Sequence, residues 1–554
     1  MTPWSWAYSQ WWRRWESNPR PPACKAGALP IELRPQRKTQ ASGAGVSCHS
    51  GAVDDTFWKL VDEVAALSPD AVLVADDHGR YLTALQLRDE ALAVAGGLVS
   101  HGVHPGGVLS WQLPTTLEAA VMLAAGARLG VVHNPIIPLL RHKEVGHICA
   151  QLGTELLVVP RVWRGFDHAQ MARDLGIKHV ALDFESPVDS SIPIRLPRDT
   201  AISLPPPPSR SDDCRWVYYS SGTTSTPKGV RHTDTSAMAA SLAMIERCEF
   251  NDNDVYPIAW PFTHIGGIAM LTTALHTRMK LVLFDSFDAT TTPLRMAEHQ
   301  PTILGSALPF FRAYIAAQRS VGDRRLFPRV RLVVAGGAPT PQELNQELID
   351  VLEVRGAAGL YGLTEFPNVT GEWWRNDTLG LDVGPIGPGC EARVVNGELQ
   401  LRGVQGFLGY VDETLNAEAF TEDGWFRTGD LASIDERGHI QVTGRLKDVV
   451  IRNAENISAS EVEEAVLFHP KVRDVAVIGL PDPATGERVV AAVVLDAGDT
   501  VTVADLAEHC VSLGLAKYKC PAQVVVIDAI ERNPMGKIQK DRVREAVNAV
   551  VNSA

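Results

Sequence analysis

Between residues 108 and 135 an apolar run, VLSWQL, leads into PTTLEAAVMLAAGARLG and then into a second apolar run, VVHNP. The middle segment sets Leu117, Val121, Ala124 and Leu129 at helical spacing, while the flanking runs are short and continuous, as buried strands are. Strand, helix and strand in that order require a crossover connection, which makes the two strands parallel and lays the helix on the sheet. Later apolar runs at 156–159, 180–182, 281–283 and 332–335 repeat the theme. The chain therefore reads as α/β, with mainly parallel sheets flanked by helices. Thr340-Pro341-Gln342-Glu343 predicts a Thr-capped helix start, after which Leu344, Leu348, Val351 and Leu352 share one face.

The texture changes after about Gly444. Ser458 and Glu461 predict a capped short helix, DVAVIGL (474–480) and VVAAVVL (489–495) predict strands, Thr502 to Leu513 predicts a helix closed by Gly514, and QVVVID (523–528) another strand. This is an α+β unit of domain size, and 554 residues exceed what one core usually serves. LPPPPSRSDD (204–213) reads as a stiff surface connection, with a proline-rich partner ligand as the rival reading. Residues 1–48 are rich in Pro and Arg and show no period. They read as a disordered arm, or as an extension upstream of a true start near Val46 or Val53, since the string resembles the peptide produced by translating a bacterial transfer-RNA gene. A tryptic peptide from before Ala41 in the native protein would exclude the second reading.

Composition narrows the function. A net charge of −13 argues against non-specific nucleic-acid binding but leaves room for a local anion site. The eight cysteines form no CxxC pair, which suits a reducing cytoplasm. The most apolar stretch, 117–140, is broken by Arg128, Asn134 and two prolines, so no membrane span is expected. There is no HExxH and no spaced His/Cys cluster for a fixed transition metal. A homodimer is compatible with the sequence, which carries no pattern reporting oligomeric state.

The segment richest in chemistry is WVYYSSGTTSTPKGV (216–230). An apolar strand runs into a turn whose hydroxyls, backbone N–H groups and Lys228 are all donors to a polyphosphate, with Gly222 permitting close approach. Lys228 follows a proline, so the segment is not a Walker loop. Alone, it is equally a Ser/Thr-rich linker.

The neighbouring segments remove that ambiguity. WPFTHIGG (260–267), AGGAP (335–339), GLYGLTE (359–365), GELQLRG (397–403), GWFRTGD (424–430), GRLKDVVIRNAENISASEVE (444–463) and NPMGKIQK (533–540) follow in order. Together with the 216–230 segment they resemble the superfamily of acyl- and aryl-CoA synthetases, peptide-synthetase adenylation domains and luciferases, over about residues 56–545. The resemblance implies an adenylation domain at 49–445 that includes a small barrel-like part, and a mobile lid domain at 446–554. It also implies a two-step reaction: a carboxylic acid and ATP give acyl-AMP and pyrophosphate, then coenzyme A takes the acyl group.

By the same resemblance, Ser221, Gly222, Thr223, Thr224 and Lys228 hold the β- and γ-phosphates. Gly336, Gly337 and Ala338 border the purine, and Tyr361 with Gly362 takes the adenine. Thr364 touches the α-phosphate, Glu365 helps hold Mg2+, Asp430 accepts the ribose hydroxyls, and Arg445 approaches the ribose or phosphate. Lys537 bridges the attacking carboxylate and the α-phosphate, and His264 gates an acyl pocket lined by Trp260, Ile265, Ser306, Ala307 and Gly336. Lys447 falls at the hinge on which the lid rotates between half-reactions. Read alone, Glu365, Lys537 and the Asp430–Arg445 pair are equally ordinary solvated charges, and Tyr361 a core tyrosine. Two positions depart from the superfamily pattern: Ser225 and Ala454 stand where Gly is usual, and Ala454 bears on the channel for the CoA thiol.

The 112–121, 134–145 and 162–167 segments resemble bacterial synthetases for medium-chain or alicyclic acids, steroid-breakdown intermediates included. The pocket segment shows no Lys or Arg for a second carboxylate, which points to an apolar monocarboxylic acid. The rival readings are an acyl-AMP ligase that loads a carrier protein and a catalytically silent nucleotide-binding protein.

Overall fold

The computed structural model describes residues 55–184, 194–220, 227–337, 340–374, 379, 383–453, 455–533 and 537–553. The expectations for residues 1–48, for Ser221, Gly222, Thr223, Thr224 and Ser225, and for Ala338 and Ala454 lie outside these.

Five of the seven strands in the largest sheet are parallel: Cys214–Ser220, Val132–Pro135, Val108–Trp111, Leu156–Pro160 and His179–Leu182, in spatial order. On the Cys214 side the sheet continues antiparallel through Lys228–Thr233 to the short strand Gly409–Tyr410. A second sheet runs Val255–Ile258, Lys280–Leu283, Val72–Asp76, Tyr81–Thr83, with only the last pair antiparallel. Ile303–Ser306, Leu332–Gly336 and Ala357–Leu360 form a third, wholly parallel one. The crossovers anticipated from the apolar runs are present.

Helix Leu117–Leu129 contacts both Val72–Asp76 and Val132–Pro135, and every one of its residues is buried. Its sequence is apolar nearly all round, the mark of a helix enclosed on every side rather than of one with a single buried stripe. Its one buried carboxylate, Glu118, is held by Arg80 at 3.1 Å and Arg195 at 3.4 Å, as a charge in such a place requires.

A smaller antiparallel sheet follows: Cys390–Val395, Glu398–Gly403, Phe426–Ile434, Ile440–Arg445. Beyond it, the strands Glu455–Ser458, Val449–Arg452, Gly486–Leu495 and Val472–Asp482 pair antiparallel, with Gln523–Val526 parallel to Gly486–Leu495. These strands enclose cores drawn wholly from residues between 450 and 547. Each fully buried Val or Leu there contributes about 1.5–3 kcal/mol, so the segment carries its own source of stability.

Two anticipated caps are corrected. The helix expected to open on Thr340 runs Gln342–Leu352 with no side-chain cap, because Pro341, at φ −57° and ψ 142°, is extended and stands outside it. Ser458 precedes helix Ala459–Leu467 but does not cap it: its hydroxyl donates to the Thr443 carbonyl at 2.7 Å, tying the C-terminal segment to the end of the preceding sheet. Glu461, its expected capping partner, instead holds Lys519 at 2.7 Å. The helix expected over Thr502 to Leu513 runs Val503–Ser512, with Thr502 outside it as the cap in a capping box with Asp505. The proline-rich segment has no regular structure, and Arg128 fixes it through the Pro205 carbonyl.

Candidate active site

The parallel sheets, the antiparallel sheet and the C-terminal segment surround one cavity of about 1040 Å³. Lys228, His264, Gly336, Gly337, Gly362, Thr364, Glu365, Arg445, Lys447 and Lys537 all line it, as do Trp260, Ile265, Ser306 and Ala307. Residues more than 300 positions apart thus meet, which no local feature of the chain dictates.

Lys228 opens strand Lys228–Thr233, and its ammonium lies 5.4 Å from the centre of the Tyr410 ring. The pairing of Val230 with Tyr410 across the sheet edge puts the ring there. The Tyr410 hydroxyl in turn donates to Glu365 Oε1 at 2.8 Å. Burial, reinforced by the Glu365 charge, pushes the Tyr410 phenol well above its ordinary value and keeps it a donor. Tyr410 was not among the residues singled out from sequence. Its role depends on a strand pairing between positions 180 apart, and GFLGY gives no sign of it.

His232 is a second omission. Its Nε2 lies 2.8 Å from the Thr364 carbonyl and its Nδ1 3.0 Å from Ser236 Oγ. A carbonyl only accepts, so Nε2 carries the proton. Burial lowers this imidazole to about 4, leaving a neutral ring that fixes the backbone at Thr364. At Gly362, a Cβ would fall 2.4 Å from the Asn368 amide nitrogen, so the tight path of this loop admits only glycine.

Asp430 and Arg445 are register partners on adjacent strands, and Arg445 Nε meets Asp430 Oδ1 at 2.7 Å. The Tyr361 hydroxyl donates to the other oxygen, Oδ2, at 2.6 Å. Asp430 is buried, yet each carboxylate oxygen accepts more than one bond, so capacity remains for ribose hydroxyls. Tyr361 is held by its phenol as well as by its position, and burial with the Asp430 charge raises that phenol well above its ordinary value. Glu398, also not anticipated, accepts from the Gly429 N–H at 3.2 Å and sits 3.5 Å from Arg427, bracing the turn before Asp430.

Lys537 enters from the C-terminal segment. Its backbone N–H donates to Asn533 Oδ1 at 2.9 Å, and Asn533 N–H donates back to the Lys537 carbonyl at 2.8 Å, which closes the loop. The side chain is exposed to the cavity, yet desolvation by the surrounding protein and, next, the Arg445 charge lower its ammonium to about 8 against the pull of Asp430 and Glu365. His264 precedes helix Ile265–Thr277, its Nδ1 accepting from the Gly266 N–H at 3.2 Å. Burial first, and the Lys537 charge second, lower this imidazole to about 4, so it is neutral at pH 7.

Among the described residues no group of three or more His, Cys, Asp or Glu side chains could cage a metal, and no helix is long and apolar enough to cross a membrane. Glu365, a buried carboxylate that lines the same cavity as Lys228, suits Mg2+, which commonly takes one or two carboxylates plus substrate phosphate oxygens and water.

Fold and site together define an α/β enzyme that brings a nucleotide and an acid into one cleft beneath a C-terminal segment. The chain belongs to the AMP-binding enzyme family, which matches residues 61–411, with the AMP-binding enzyme C-terminal domain at 461–537. It is thus an ATP-using, acyl-adenylate-forming ligase of the acid–thiol class. It is 30% identical to a salicyl-AMP ligase / salicyl-S-ArCP synthetase of Mycobacterium tuberculosis, over 94% of this chain and 95% of that one. It is also 30% identical to a 3-[(3aS,4S,7aS)-7a-methyl-1,5-dioxo-octahydro-1H-inden-4-yl]propanoyl:CoA ligase of Rhodococcus jostii, over 85% and 95%. Among solved structures it resembles ATP-bound MatB from Rhodopseudomonas palustris, with a TM-score of 0.77 at 27% identity, covering 88% of this chain and 98% of that one.

Proposed function

We propose that the enzyme activates an apolar monocarboxylic acid, of the medium-chain or alicyclic, steroid-derived kind, and passes the acyl group from acyl-AMP to coenzyme A. The observation that carries this reading is the convergence of Lys228, Thr364, Glu365, Arg445 and Lys537 on one cavity whose lining is in part apolar. Two anions, a carboxylate and a triphosphate, must meet there, so the work is positioning and charge neutralisation. Lys228 and the turn preceding it hold the terminal phosphates. Glu365 is the ligand offered to Mg2+, which when bound neutralises phosphate charge. Asp430 takes the ribose, with Tyr361 on the adenine. Lys537 contacts both the incoming carboxylate and the α-phosphate. His264, neutral, closes the mouth of the acyl pocket without adding charge.

The lid comprises residues 446–554, with Lys447 at the hinge. Lys537 lines the cavity, as its role in adenylation needs, and rotation of the lid would bring 449–458 to the cleft for thiol attack. Coenzyme A as acceptor is supported by the Rhodococcus relative, whereas the Mycobacterium relative is named for loading a carrier protein. ATP–pyrophosphate exchange over a panel of acids, followed by hydroxamate trapping with and without CoA, tests the reading. Acid-dependent exchange with CoA-dependent loss of trapped acyl-AMP is expected. Exchange that CoA leaves untouched would move the acceptor to a carrier protein, and no exchange with any acid would overturn the activity.

A further inference from the structure

Part of the cavity lining is apolar: Met244, Phe250, Ile265, Met270 and Val334. Tyr256 brings a hydroxyl to the same cavity. Tyr256, on strand Val255–Ile258, lines the same cavity with only 3% of its surface exposed, and its neighbour Trp260 is 9% exposed. The Trp260 indole Nε1–H is shut off from solvent. It points to the Tyr256 oxygen, and its hydrogen bond there pulls that phenol down against the larger upward effect of burial. The Tyr256 O–H is thereby left to donate elsewhere.

The chain also makes room for this hydroxyl. A Cβ on Gly305 would lie 2.3 Å from it, and Gly305 is not among the glycines at left-handed φ, so space rather than backbone conformation calls for glycine. A packing tyrosine could have been a phenylalanine at lower desolvation cost. Burial holds the Tyr256 phenol up at about 12, so it stays a donor at neutral pH.

We propose that the Tyr256 hydroxyl, braced by the Trp260 N–H, forms a polar subsite beside the apolar part of this cavity and donates to a keto or hydroxyl oxygen carried on the tail of the acid. The inference rests on the reading of this part of the cavity as the acyl pocket. It narrows the substrate from any apolar acid to an oxygenated alicyclic one, because a pocket built to meet a polar atom discriminates against the analogue that lacks it.

The test compares 3-cyclohexylpropanoate with its 2-, 3- and 4-oxo forms in ATP–pyrophosphate exchange. The wild type is expected to favour at least one oxo acid by about fivefold or more in kcat/KM, and Tyr256→Phe to bring that ratio close to one. If turnover of the variant is too slow to follow, equilibrium binding of the two acids read by Trp fluorescence gives the same ratio. A wild type that favours the plain acid, or a preference that survives in Tyr256→Phe, overturns the subsite while leaving the activity standing. No exchange with any acid overturns both.

Discussion

The Tyr410 hydroxyl donates to Glu365 Oε1 over 2.8 Å, and the same ring lies under the Lys228 ammonium. One side chain thus touches both the carboxylate offered to Mg2+ and the cation offered to phosphate. Tyr410→Phe keeps the ring and removes the bond. A hydrogen bond to a charged group is worth about 1.5–3 kcal/mol, so the Mg2+ concentration for half-maximal exchange should rise about tenfold. Calorimetric ATP binding should show the same loss with Mg2+ present and little loss without it. Equal losses in both would rule out the link to Glu365.

Lys537 sets an alkaline limit. Its lowered value means that the ammonium is present below about pH 8 and is lost as pH rises through that point. Because kcat/KM reports the free enzyme, acid-dependent exchange should fall above about pH 8, and Lys537→Arg should move that limb upward. Lys537→Ala should abolish exchange and leave transfer from supplied acyl-AMP to CoA largely intact. Robust exchange in the Ala variant would remove Lys537 from the mechanism.

The glycines of the cavity should respond unequally. At Gly362 an added Cβ meets backbone at 2.4 Å, whereas at Gly336 the nearest atom is the Leu360 carbonyl at 3.9 Å. Gly362→Ala should lower thermal stability by several degrees and abolish exchange, since backbone cannot yield as a side chain can. Gly336→Ala should keep the melting temperature within about a degree and raise KM for ATP or acid. Differential scanning fluorimetry alongside exchange kinetics separates the two.

Asp430 is buried between Arg445 and Tyr361, so its removal leaves both partners unmatched. Asp430→Ala should cost about 1–3 kcal/mol of stability from the stranded groups and raise KM for ATP. Asp430→Asn keeps acceptor capacity on one side only and should fall between. A denaturation midpoint unchanged in both variants would contradict the geometry.

What was legible in the chain was local: the period of helix Leu117–Leu129, the parallel strands around it, the helix that follows Thr502, and the fixed order of hydroxyl-, glycine- and lysine-bearing segments. Apolar spacing and donor chemistry are properties of neighbours in sequence, so they can be read there. Caps failed where a distant group competed. Thr443 claimed the Ser458 hydroxyl and Lys519 claimed Glu461, and neither competitor is visible from the segment itself.

The order of motifs named several residues that the folded chain brings to one cavity, but the residues that brace them came only from the folded chain. Tyr410 reaches Glu365 through a strand paired with Val230, His232 reaches Thr364 across 132 positions, and Glu398 holds the Gly429 turn. The sequence by itself determined which chemical groups are present and the fold class that carries them. Tertiary structure alone decided which of those groups share a cavity, because hydrogen bonds and desolvation act over a few ångströms in space, whatever the distance along the chain.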